Sequence, residues 1–209
     1  MAQKKIRVID YGLDEAGLLG VTAISLVDYP AIESDFVCLS KDGHTVVRHE
    51  KVKMAAVDTG ERRMIYGPAM IPDVLILRGD DDDEFYVRFG KDLIQAVAHD
   101  YLKKHLQNNV NVQHQFSVKG VTVVESWVKE FDNDKSVGLG LDVPVGTWLI
   151  GMHAENDEAW ELAKEGMVKG FSIEGDFKPV AETFIETEIN DDNKFLIELE
   201  KTLMAHANN

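Results

Sequence analysis

From Ile6 onward the chain is a succession of short apolar stretches, many alternating with polar residues. This pattern constrains the fold most, because a side-chain period of two describes a strand with one buried face. Strands are expected near Ile6–Ile9, Val21–Leu26, Phe36–Leu39, Val46–His49, Val52–Val57, Arg63–Gly67, Val74–Arg78 and Phe85–Phe89. They resume at Val110–Phe116, Val121–Val128, Val137–Leu141 and Thr147–Ile150. Asp42-Gly43 and Thr59-Gly60 read as turns, while Gly67-Pro68 and Ile71-Pro72 read as the ends of a loop that interrupts the sheet.

Helical periodicity is scarcer. Leu93, Ile94, Val97, Ala98, Tyr101, Leu102 and Leu106 follow it after Gly90, with Asp92 favourable at the positive end of the helix. A second helix is expected from about Asn156 to Glu165, capped by Asn156 or Glu155, with Asp157 and Glu158 in its first turn. A third, amphipathic, is expected over Asn193–His206. Many strands, few helices and little strand–helix–strand alternation point to class α+β: a mostly antiparallel barrel or sandwich with flanking helices. The division expected is a domain over residues 1–180 and an acidic C-terminal segment, 181–209, carrying the amphipathic helix.

Composition removes several function classes. The formal charge of −15 argues against a nucleic-acid surface, which needs clustered lysine and arginine. No apolar run approaches the roughly 18 residues of a membrane helix, and the N-terminus lacks a signal-peptide core, so a cytosolic protein is expected. One cysteine, Cys38, leaves no internal disulfide and no multi-cysteine zinc site. The acidic run Asp80–Glu84 lacks the glycine-broken spacing of a calcium loop and reads as a solvated turn. No cofactor or metal is called for.

One segment carries chemistry. In GMVKGFSIEG, Gly166 to Gly175, a serine lies on an apolar strand with Gly170 and Gly175 close by, so little bulk guards the Ser172 hydroxyl. Such access suits a nucleophile, which then needs a base. Of seven histidines, His114 is the best placed: in VNVQHQF it shares the parity of Val110, Val112 and Phe116. His153, expected in the loop before the second helix, is the competitor. In VTVVESW, Glu125 shares the parity of Val121, Val123 and Trp127. A hairpin about Val118–Gly120 would bring it to the face of His114, where a carboxylate fixes the imidazole tautomer. The alternatives stay open: a core histidine bonded to a backbone carbonyl, and a glutamate paired with Lys129 or Lys119. Asp132, Glu155 and Asp157 are further candidates for the third member. A metal site using His114, His153 and acidic residues around Glu155 is the other alternative, but the spacing matches no HExxH-like element.

The blocks GVTAISLVDYPAIESDFV, IYGPAMIPDVLILR, FYVRFGKDLI, VQHQFSVKGVTVVESWV and GMVKGFSIEGDF, in that order, resemble the XkdF-type serine proteases of tailed phages. These are similar to prohead (capsid-maturation) proteases and, more distantly, to herpesvirus assemblins. The resemblance covers about residues 1–178 and implies a serine endopeptidase with Ser172 as nucleophile and His114 as base. Assemblins use a second histidine placed after the serine, and here the only later one is His206. That departure favours an acidic third member, Glu125 first. The resemblance further implies scaffold and major capsid proteins as substrates, action inside the assembling procapsid in the host cytoplasm, and self-cleavage or targeting by the tail. Homo-oligomerisation is left open. The rival reading is an inactive protease-fold module serving phage assembly.

Overall fold

A computed structural model describes residues 3–12, 20–32, 37–39, 62–78 and 85–188. The strands expected at Val46–His49 and Val52–Val57, the turns expected at Asp42-Gly43 and Thr59-Gly60, the run Asp80–Glu84 and the helix over Asn193–His206 lie outside the described residues. In chain order the elements are β1 (Gln3–Gly12), β2 (Gly20–Val27), β3 (Val37–Leu39), β4 (Met64–Met70), β5 (Ile76–Arg78), β6 (Phe85–Phe89) and α1 (Lys91–Lys103). Then follow β7 (Val110–Val112), β8 (Phe116–Ser117), β9 (Val121–Val128), α2 (Lys135–Gly138), β10 (Trp148–Ala154), α3 (Asp157–Lys164), β11 (Gly170–Asp176) and β12 (Lys178–Glu188).

The fold is α+β, built from three four-stranded sheets ordered β12-β1-β6-β5, β3-β4-β10-β9 and β11-β2-β7-β8. Most pairs are antiparallel, but β1–β6 and β2–β7 are parallel, so two of the sheets are mixed. None of the three closes into a barrel among the described residues, which corrects the expectation of a barrel. The core lies between the sheets and under α1 and α3, with Trp148, Trp160, Ile24, Leu26, Ile94 and Phe171 fully enclosed. Burying each such side chain stabilises the fold by about 1.5–3 kcal/mol.

Local chemistry explains the helices. α1 buries Ile94, Val97, Ala98 and Tyr101, the stripe its period announces. α3 begins where the Asn156 side chain accepts a hydrogen bond from Ala159 N at 2.9 Å, and it buries Ala159, Trp160 and Ala163. α2 replaces the strand expected at Val137–Leu141. Asp134 caps it, accepting from Ser136 N at 2.8 Å, and this local bond outcompetes the apolar alternation.

A further expectation is corrected. β4 runs through Gly67-Pro68 instead of ending there, with Pro68 opposite Leu149 beside a register shift in β10. A bulge is one of the few places where a strand tolerates proline's missing N–H. β12 pairs with β1 from Lys178 to Glu188.

β1 and β6 are tied by a two-pronged ion pair. Arg88 donates to both Asp10 carboxylate oxygens, at 2.7 and 3.0 Å, from directly opposite in the register. The Arg88 hydrogen bonds hold the Asp10 carboxyl below its ordinary 3.8. A carboxyl lowered in the folded state contributes stability that is present above its unfolded value and lost as pH falls through the folded one. Thermal denaturation followed from neutral pH downward is expected to show Tm falling once pH drops below 3.8. Arg88→Leu, which returns Asp10 toward its unfolded value, should make that fall shallower.

Candidate active site

The sheet β11-β2-β7-β8 sets the site. Ser172 stands directly opposite Ser25, Ser25 opposite Asn111, and Asn111 opposite Ser117, forming one row across four strands. Residues opposite one another share a face, as do residues two apart on a strand. Ser172, Glu174, Ser25 and Asn111 therefore share one face, while Phe171, Ile173, Ile24 and Leu26 turn to the core on the other.

The turn after β7 folds over this polar face. His114 N donates to Ser25 Oγ at 3.0 Å, Gln113 N to the Leu26 carbonyl at 2.9 Å, and Gln115 N to the Val112 carbonyl at 3.1 Å. Ser25 is consequently fully buried although it points away from the core. Gln113 and His114 both adopt left-handed backbone, at φ 54° and 56°. Such a conformation costs a non-glycine residue on the order of 1 kcal/mol, so it persists only where surrounding bonds impose it. The three hydrogen bonds do so here.

The turn delivers the His114 imidazole to a carboxylate. Nδ1 lies 2.9 Å from Glu174 Oε1, and Asn111 Nδ2 donates to that same oxygen at 2.6 Å. Among the described residues, the Asn111 Oδ1 is buried without a partner. A carboxylate at Nδ1 favours the tautomer with its proton there, leaving the Nε2 lone pair as a proton acceptor. Ser172, half-buried, sits two residues from Glu174 on the same strand face. Chemically, the arrangement offers a hydroxyl, an imidazole and an orienting carboxylate on one sheet face.

The expected placement of His114 on a strand, and its hairpin with Glu125, are both corrected. β7 ends at Val112, and β9 pairs with β10 in a different sheet. Glu125 instead accepts a 2.5 Å hydrogen bond from the Tyr66 hydroxyl and an ion pair from Lys135, which also lies over the Tyr66 ring. Desolvation pushes the Glu125 carboxyl up, but the bonds from Lys135 and Tyr66 outweigh it and hold the group below its ordinary value. Burial, and then the Glu125 hydrogen bond, push the Tyr66 hydroxyl in the opposite direction, well above its usual range. This cluster ties the start of α2 to the sheet and does not reach His114.

The remaining candidates are dispersed. His153 lies on β10, not in a loop, and its Nδ1 is 3.8 Å from Glu155 Oε1. Asp157 pairs with Arg63 at 2.6 Å, and Asp132 is exposed between β9 and α2. Among the described residues, no group of three His, Cys, Asp or Glu side chains could hold a metal ion.

Sequence reasoning missed Glu174, Asn111 and Ser25. Glu174 carried a usable signal, its parity with Ser172 on one strand. Ser25 and Asn111 carried none, because cross-strand register is not written in either segment alone.

Two proteins of Bacillus subtilis (strain 168) match: "Uncharacterized protein YqbD", 28% identical over 74% of this chain and 44% of its own length, and "Phage-like element PBSX protein XkdF", 26% identical over 74% and 52%. The chain thus spans about half the length of the curated relatives it matches. No solved structure matches it significantly. The family model described as "Putative phage serine protease XkdF" matches residues 51–192, which include His114, Ser172 and Glu174. The chain belongs to the XkdF phage serine protease family.

Proposed function

We propose that the chain is a phage serine endopeptidase in which Ser172 is the nucleophile, His114 the general base and Glu174 the carboxylate that orients the imidazole. One observation carries this reading: His114 Nδ1 bonds Glu174 at 2.9 Å on the strand face that also bears Ser172. Nε2 accepts the hydroxyl proton as Ser172 Oγ attacks a peptide carbonyl carbon. The imidazolium, stabilised by Glu174, then protonates the leaving amine. Water, deprotonated by the same imidazole, releases the acyl group and restores the hydroxyl.

Family membership and the phage setting of one relative support substrates among the scaffold and major capsid proteins, cut inside the assembling procapsid in the host cytoplasm. The acidic charge suits contact with proteins rather than nucleic acid.

The rival, an inactive protease-fold assembly module, has one observation in its favour. Among the described residues no hydrogen bond joins the Ser172 hydroxyl to His114. Catalytic hydrogen bonds are often long before substrate arrives, so the absence of that bond does not decide against the pair.

The two glutamates separate the alternatives for the third member. Glu174→Gln is expected to lower kcat on co-expressed scaffold or capsid protein by about 10²–10⁴-fold, as loss of an orienting carboxylate does. Glu125→Gln should leave kcat within a few-fold and lower Tm instead, since it weakens the tie to Lys135. The opposite ranking of the two variants would restore Glu125 to the site.

A further inference from the structure

A cavity of about 270 Å³ opens beside β11, and Ser172 forms part of its wall. β11 is the outermost strand of its sheet, and its core-facing side chains Phe171 and Ile173 line the same space. The opposite wall comes from the end of β4 and from β5, including Met70, Ile71 and Ile76. The floor is aromatic: Phe89 and Phe177 stack edge-on at 4.9 Å, with Tyr11 5.7 Å from Phe89. The charged side chains that line it, Arg78 and Asp176, are both exposed.

Size and chemistry narrow the occupant. Pockets for drug-sized ligands or cofactors run from about 300 to 1,000 Å³ and use several convergent polar groups. This cavity is smaller, and most of the side chains that line it are aliphatic or aromatic, with Arg78 and Asp176 the charged ones, so it suits one large side chain and not a cofactor. An extended peptide presents side chains alternately to its two sides, as a strand does. Laid along β11 with a carbonyl at the Ser172 hydroxyl, such a peptide presents a neighbouring side chain to the cavity.

We propose that this cavity is the specificity pocket for a large apolar side chain, such as leucine, methionine or phenylalanine, next to the scissile bond of a protein substrate. The inference rests on Ser172 being the nucleophile, and it names the substrate class for that site. Ala31 is exposed at the rim and Ile32 half-buried behind it, so bulk at position 31 projects into the mouth without disturbing the core.

Binding tests the pocket independently of catalysis. Blocked tripeptides, acetyl-Ala-Ala-Leu-amide and acetyl-Ala-Ala-Glu-amide, are titrated into the Ser172→Ala protein with isoleucine methyl groups observed by NMR. The leucine peptide is expected to shift the Ile32, Ile71, Ile76 and Ile173 methyls, and to bind at least tenfold more tightly than the glutamate peptide. Ala31→Phe should weaken the leucine peptide at least tenfold. Equal binding of the two peptides, absence of shifts at those methyls, or indifference to Ala31→Phe overturns the pocket. Capsid- or scaffold-cleaving activity that survives in Ser172→Ala overturns the nucleophile assignment instead, so the two failures are told apart.

Discussion

Ser172→Ala is expected to abolish processing of co-expressed scaffold or capsid protein, with a loss of at least about 10³-fold, while leaving the fold intact. Removing a serine nucleophile eliminates the covalent step, and what survives is the residual catalysis of binding and oriented dipoles. The fold should be indifferent for a separate reason. Ser172 is half-buried, and its hydroxyl makes no hydrogen bond among the described residues. Nothing buried is left unsatisfied by its removal, so the stability change should stay within about 0.5 kcal/mol, typical of a benign surface substitution. Mass spectrometry of the processed fragments and a urea melt of the purified variant read the two quantities separately. Undiminished cleavage would remove Ser172 from the mechanism.

Gly175→Ala is expected to be the most damaging single methyl addition near the site. A Cβ at this position would stand 2.1 Å from the Gly20 carbonyl oxygen and 2.9 Å from Val21 Cα. Both obstacles are backbone, so no side-chain rotation relieves them, and β2 must move away from β11. The register shifts at this point, between Glu174 and Gly175, which brings the two strands close together. Overpacking costs about 1–3 kcal/mol where neighbours can adjust, and this contact belongs at or above the upper end. Activity should fall as well, because β2 carries the Ser25 hydroxyl that holds the His114 turn. Gly138→Ala is the control: a Cβ there meets nothing within 4 Å. In the short helix α2 it should be neutral or stabilising by up to about 1 kcal/mol. Urea denaturation of the two variants provides the comparison.

The Gly175 geometry also revises how the segment GMVKGFSIEG is understood. From sequence, its glycines suggest open access to a hydroxyl. In the structure, Gly175 is small because another backbone passes within contact distance. Both readings keep Ser172 on a strand, and they differ on what a substitution at Gly175 would damage.

Where the sequence was legible, local physics decided the structure. β6 runs from Phe85 to Phe89, as its apolar residues suggest, and α3 follows Asn156, whose side chain satisfies an otherwise orphaned N–H. Local reasoning failed where a tertiary or short-range polar contact took over. Val110–Phe116 reads as one strand, yet bonds to Ser25 and Leu26, both distant in sequence, turn the chain at Gln113 and His114. Val137–Leu141 alternates like a strand, yet the Asp134 cap winds its first residues into α2.

The candidate site was half legible for the same reason. Ser172 and His114 stood out by residue type and context. The partner of His114 depended on which strands adjoin, and the apparent hairpin led to Glu125. The observed parallel pairing of β2 with β7 places His114 over β11 and its Glu174. Glu125 lies on β9, in the sheet of β3, β4 and β10, where Tyr66 and Lys135 occupy it.

The most direct test is labelling by a fluorophosphonate, which reacts only with an activated serine hydroxyl. The full chain should be treated at high protein concentration and digested, and the adduct located by tandem mass spectrometry. Adduct on Ser172 in the native protein, lost in His114→Ala and strongly reduced in Glu174→Gln, is the expected result. Label on another residue, or equal labelling of Ser172 in the native and His114→Ala proteins, would contradict the assignment of His114 as the base that activates Ser172.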